Sequence, residues 1–199
     1  MTVRRIVSGV VLAAGILAAV AACAGRPGES GEQEKASGAP AGPAPDVQRG
    51  KYLVMITGCN DCHTPLKVGP NGPEPDMARL LSGHPETLVM PPPPKLPEGA
   101  WAWIGAGTNT AFAGPFGISY ASNITSDPVS GLGPWSEEMF LSAMKTGRHW
   151  GEARPILPPM PWQTYAQMTE ADLKAIFAYL KTVPPVSNNV PPSEPAEAP

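Results

Sequence analysis

Three cysteines are all that the 199 residues contain, and no basic tract interrupts a near-balanced net charge of -3. Without such a tract the chain lacks the electrostatic footprint of a nucleic-acid-binding protein. So few cysteines, odd in number, exclude a disulfide framework. Strand signals are poor, which points away from a β-rich class. The longest apolar stretch, Val10 to Val20, is too short and too rich in alanine for a comfortable membrane span. Proline and glycine are in excess instead, at 27 and 21 residues. They gather in residues 24–46, 66–100 and 188–199, so the folded core is smaller than the length suggests.

The N-terminus accounts for one cysteine. Arg4 and Arg5 precede the apolar run, and Val20-Ala21-Ala22-Cys23 follows it. This order is that of an export signal over residues 1–22. Small residues directly before a cysteine match a bacterial lipobox, in which Cys23 receives the lipid; the plainer alternative is a signal cut near Ala22 with Cys23 incidental. Ala24 follows the cysteine and no aspartate is there to signal inner-membrane retention, so the expectation is an outer-membrane anchor facing the periplasm. Residues 23–46 are small, polar and rich in proline and glycine, a composition for a disordered tether. Residues 188–199 are expected to form a disordered tail.

The other two cysteines lie in Cys59-Asn60-Asp61-Cys62-His63. C-x-x-C-H is the attachment sequence of a c-type haem. Two thiols on one short helical turn can add to the two vinyl groups, and the next residue brings an imidazole beneath the iron. A thioredoxin-like pair would need a βαβ context, a structural zinc site would need a second ligand pair, and a plain disulfide would leave His63 without a purpose. The expectation is one covalent haem c.

A sixth ligand is sought late in the chain. Met160 stands in Pro158-Pro159-Met160-Pro161, where prolines limit the entropy lost on ordering. Met55, Met139, Met144 and Met168 fall on helical patterns, where packing is the more ordinary role. His149 is the rival ligand, with a helix cap or a place near a haem propionate as its other readings. His84, in a Gly-His-Pro turn, reads as a surface loop residue.

The pattern predicts helices over 47–58, 136–148 and 169–182, with a short one at 76–82. Asp46, Ser136 and Thr169 are the expected N-caps. Gly50 would let another helix approach closely. Leu173, Ile176, Phe177 and Leu180 follow the i, i+3, i+4, i+7 spacing, and Pro184 closes that helix. The fold class expected is therefore mostly α, a helical domain over 47–187 around one covalent haem, with a long irregular insertion at 83–122 that holds at most small hairpins. That insertion reads either as a docking or haem-shielding element or as a cover packed on the core.

Three segments resemble the single-haem class I cytochrome c family, and a bacterial branch related to cytochrome domains of membrane-bound dehydrogenase complexes. They are Arg49-Gly50-Lys51-Tyr52-Leu53-Val54 before Cys59, Asn123-Ile124-Thr125-Ser126-Asp127 with Gly131-Leu132-Gly133-Pro134-Trp135-Ser136, and Pro158-Pro159-Met160-Pro161 running into Ala178-Tyr179-Leu180. The resemblance implies that Trp135 and Asn123 meet a haem propionate and that Tyr179 packs where the first and last helices cross. It places the carbonyl that receives the proximal imidazole near Pro75.

A His/Met-ligated iron has no open position, so such a protein moves electrons between redox partners and leaves bond chemistry to others. Lys67, Lys145 and Arg148 would either ring the haem edge for an acidic partner or stand as ordinary solvated charges. Two alternatives stay open: a five-coordinate haem enzyme or gas sensor in which Met160 does not bind, and a dedicated haem subunit of a dehydrogenase or oxidase.

Overall fold

The computed structural model describes residues 45–96, 99 and 101–196. The export signal, Cys23 and nearly all of the expected tether lie outside the described residues.

Helix α1 spans Pro45–Ile56. It begins on proline, whose missing N–H costs nothing at a helix start, and Asp46 sits inside the first turn, where its charge suits the positive end. The expected Asp46 cap is thus corrected to a first-turn acid. Helix α2, Cys59–His63, follows after Thr57 and a left-handed Gly58 with φ 75°. Helix α3, Glu137–Thr146, is capped by Ser136, which accepts from Met139 N at 3.2 Å, and ends on left-handed Gly147. Helix α4 is one turn, Trp162–Tyr165, and α5 spans Glu170–Leu180. Thr169 Oγ1 caps α5 by accepting from Asp172 N at 3.1 Å. Asp172 does not complete a capping box; its carboxylate accepts from Arg49 Nε of α1 at 3.0 Å. The region 76–82 holds only a 3-10 turn, Met77–Arg79.

α1 crosses α5 at Gly50. A Cβ there would collide with the carbonyl of Ala175 and lie 2.8 Å from Tyr179 Cβ. The glycine therefore sets the helix separation, and Tyr179 packs at the crossing. Leu53 and Val54 of α1, Phe140 of α3, and Leu173, Ile176, Phe177 and Leu180 of α5 form the buried cluster. The Phe140 and Phe177 rings lie 5.3 Å apart.

The mostly α expectation does not hold. Among the described residues six strands accompany the five α-helices. β1 (Leu66–Gly69) and β2 (Gly72–Pro75) form a hairpin with Gly69 opposite Gly72. A second, antiparallel sheet runs in order β3 (Ile104–Gly105), β4 (Ala111–Gly114), β5 (Gly117–Tyr120) and β6 (Glu194–Pro195). Three of these strands come from the segment expected to be an irregular insertion. The strands are two to four residues long and half of their residues are Gly, Ala or Pro, so alternation and β-branching give too short a signal to read. The architecture is α+β, with helices packed on one another and two short antiparallel sheets.

The expected disordered tail is also corrected over its described part. Asn188 is buried, and β6 pairs with β5 through Gly117 and Ile118.

Candidate haem-attachment site

The attachment turn is built from the α1–α2 connection. Thr57 N and Thr57 Oγ1 both donate to Leu53 O, at 2.9 and 2.8 Å, which closes α1. Gly58 then reverses the chain in a conformation that side chains resist. Cys59 and Cys62 follow on one turn, both as free thiols. Burial, aided by Asp61, raises the Cys59 thiol above its ordinary range, while a contact with Thr57 opposes the shift. Burial, then Asp61 and Cys59, raises Cys62 in the same way. Both sulfurs are therefore held as neutral thiols.

His63 is fixed by its other ring nitrogen. Nδ1 lies 2.7 Å from the carbonyl oxygen of Ser122, an oxygen that can only accept, so Nδ1 carries the proton and donates it. Nε2 keeps its lone pair, the form of imidazole that binds a metal. Burial lowers the His63 pKa, and the Ser122 bond works against this. The carbonyl expected near Pro75 is thus found at Ser122, two residues beyond β5. A backbone acceptor has no residue signature, so no sequence pattern could have located it.

The segment 83–122 supports the turn at several points. Asn109 Nδ2 donates to Asp61 O at 2.7 Å, Leu66 N to Thr108 O at 2.9 Å, and Gly83 N to His63 O at 2.8 Å. His84, expected at the surface, is fully buried. Its Nε2 donates to Leu88 O at 2.9 Å, which leaves Nδ1 to accept from Thr110 Oγ1 at 2.9 Å. The reason is a tertiary bond: His84 N donates to Ala121 O at 2.9 Å, which ties the turn to the residue after β5. Of the two readings of the insertion, the structure shows a packed support for the attachment turn.

Asn123 makes its hydrogen bonds within the protein. It is buried, its Nδ2 donates to Ser130 Oγ at 3.0 Å and Val186 O at 2.8 Å, and its Oδ1 accepts from Thr125 N at 3.0 Å and Thr125 Oγ1 at 2.7 Å. With the amide fully used inside the protein, its role is to hold the loop that follows Ser122. Trp135 and His149 are brought together, their rings edge to face at 5.0 Å, with Trp150 close by. Lys67, Lys145 and Arg148 each have an intramolecular partner: Lys67 pairs with Glu74 and Asp76, Lys145 Nζ donates to Ala166 O and Met168 O, and Arg148 donates to Ala153 O.

Met160 is half-buried, and its carbonyl accepts from Trp162 N at 2.9 Å as the chain enters α4. From the end of α4, Tyr165 OH donates to Thr57 O at 2.8 Å. Burial and the charges that Cys59, Cys62 and Asp61 can carry push the Tyr165 phenol up to about 12. Tyr165 therefore stands beside the attachment turn, a position that nothing in the sequence pattern signals.

Two free thiols on one turn, followed by an imidazole with Nδ1 committed and Nε2 open, fit a covalent haem. Among the described residues no three His, Cys, Asp or Glu side chains converge as a metal-ion site. Known proteins point the same way. The chain is 31% identical over 156 residues to the cytochrome c subunit of a quinone-dependent alcohol dehydrogenase of Gluconacetobacter polyoxogenes, which is 77% of this chain and 27% of that subunit. The chain is related to dehydrogenase cytochrome c subunits. The cytochrome subunit of Gluconobacter japonicus fructose dehydrogenase is 26% identical over 69% of this chain and 21% of its own length. The gluconate 2-dehydrogenase cytochrome c subunit of Pantoea cypripedii is 36% identical over 67% and 22% respectively. The chain spans about a quarter or less of the length of the relatives it matches. No protein-family model matches it.

Proposed function

We propose that this chain transfers electrons through one haem c, bound covalently at Cys59 and Cys62 with His63 and Met160 as axial ligands. The observation that carries the reading is the His63 Nδ1–Ser122 O bond at 2.7 Å beside two free thiols. It leaves Nε2 as the open donor. When bound, the haem supplies a one-electron couple, which a methionine ligand biases toward the reduced form. The chain's own residues do the rest. Ser122 fixes the tautomer and orientation of the imidazole, and the Asn109 and Gly83 bonds hold the turn that carries it. The protein is an electron carrier and leaves bond chemistry to its partners.

The relatives are named as dehydrogenase subunits, which favours a dehydrogenase as electron donor and a place in the cell envelope. Cys23 is proposed as the lipid attachment, with the domain facing the periplasm and outer-membrane attachment favoured. The full chain should be matured in a bacterium that assembles c-type cytochromes. A red product with haem retained under denaturing electrophoresis is expected, and a Cys59→Ala, Cys62→Ala variant should lose it. The ferric protein should show a far-red sulfur-to-iron band that Met160→Ala abolishes. A band that persists in that variant removes Met160 from the iron. Cys23→Ala should move the protein from the membrane fraction to the soluble fraction; continued membrane retention would count against the anchor.

A further inference from the structure

We propose that Tyr165 is the positioning residue that seats the Met160 loop against the haem-attachment turn, an inference that rests on Met160 being the distal ligand. α4 follows Met160 directly and is a single turn, too short to hold its own shape. Its position must come from contacts at its ends. At the start, Trp162 N donates to Met160 O at 2.9 Å, and the Trp162 indole packs against Gly147, where a Cβ would collide with the ring. Beyond the end, Lys145 Nζ donates to Ala166 O at 2.8 Å and Met168 O at 2.7 Å. The Gly147 and Lys145 contacts tie α4 and its C-terminal end to α3.

Tyr165 reaches the other way. Its hydroxyl donates to Thr57 O at 2.8 Å, across 108 residues of sequence, in the connection that leads to Cys59. Thr57 Oγ1 also lies 3.4 Å from Cys59 Sγ. Either atom can be the donor in that contact, so it changes when the sulfur becomes a thioether. The Tyr165–Thr57 bond involves no thiol proton, so it survives attachment. It is thus a link between the methionine loop and the turn that bears His63, in place before and after the haem is bound.

The test uses the full chain with its haem attached. Tyr165→Phe keeps the ring and removes only the hydroxyl. Wild type, Tyr165→Phe, Met160→Ala and the double variant are compared by the ferric sulfur-to-iron band, by reduction potential and by titration with imidazole. Loss of one hydrogen bond that favours the seated loop should raise imidazole affinity roughly five- to tenfold in Tyr165→Phe. The band should weaken on mild warming, and the potential should shift. In the Met160→Ala background the same substitution should change imidazole affinity less than about twofold, because no methionine is left to displace. Tyr165→Phe affinity within twofold of wild type, with the band intact, overturns the positioning role. An equal rise in both backgrounds also overturns it, since the hydroxyl would then guard the iron by itself. Absence of the band from wild type sinks the methionine reading first, and the inference with it.

Discussion

Where α1 crosses α5, contact is made by shape: a missing Cβ at Gly50, the Tyr179 side chain against it, and apolar residues from three helices below. Behind His63, contact is made by hydrogen bonds. Asn123, Asn188, Thr125, Asp127 and Ser130 join the loop after Ser122 to the segment 186–190, and Asn188 alone donates to Ser82 O and His84 O while accepting from Glu86 N. Packing tolerates small losses in proportion to volume, whereas a buried polar network fails group by group when one partner leaves. The molecule therefore has an apolar half that sets helix geometry and a polar half that sets the orientation of the imidazole.

The largest effect is expected at Gly50. In Gly50→Val the new side chain must displace the α5 backbone at Ala175, so the loss should reach ~3 kcal/mol or more, seen as a collapse of the urea midpoint. If the midpoint barely moves, the crossing is not fixed by shape. Leu173→Ala removes a fully buried side chain from the same half and should cost ~2–5 kcal/mol without altering the haem spectrum. Asn188→Ala is the matching test of the polar half. It strands the carbonyls of Ser82 and His84 and should cost ~1–3 kcal/mol. Unlike Leu173→Ala it should also shift the reduction potential, because the network it breaks supports the Ser122 region. A potential unchanged by Asn188→Ala would merge the two halves into one.

The smallest effect concerns acid. Ser130 holds the Asp127 carboxylate below its ordinary value, through backbone and side-chain hydrogen bonds, and Val129 N adds to this. A folded pKa below the unfolded one contributes stability that is complete above the unfolded value of about 3.8 and is lost as pH falls through the folded value. Wild type should therefore lose stability below about pH 4 more steeply than Asp127→Asn. Parallel acid-unfolding curves for the two would show that this carboxylate adds nothing.

How much was legible follows the same division. The three main helices and the close approach at Gly50 rest on short-range pattern, and the structure repeats them within a few residues. The polar half rests on partners far apart in sequence. Ser122 acts through a carbonyl, which every residue possesses. His84 reads as a surface histidine until Thr110 and Leu88 are seen on either side of its ring. β5 lies more than a third of the chain away from β6, and Glu194–Pro195 offers neither alternation nor β-branching. The family resemblance singles out Asn123, and its amide is consumed by Ser130, Val186 and Thr125.

The pairing of β6 with β5 has a practical corollary. A chain cut after Ser187 would keep every residue of the apolar cluster and the whole attachment motif, and by those measures would count as an intact domain. It would nevertheless lose Asn188, the Ser193 Oγ that accepts from Tyr120 N, and the edge partner of Gly117 and Ile118. Proteolytic trimming at that point would leave a folded-looking protein in which the carbonyl that orients His63 had lost the far end of its scaffold.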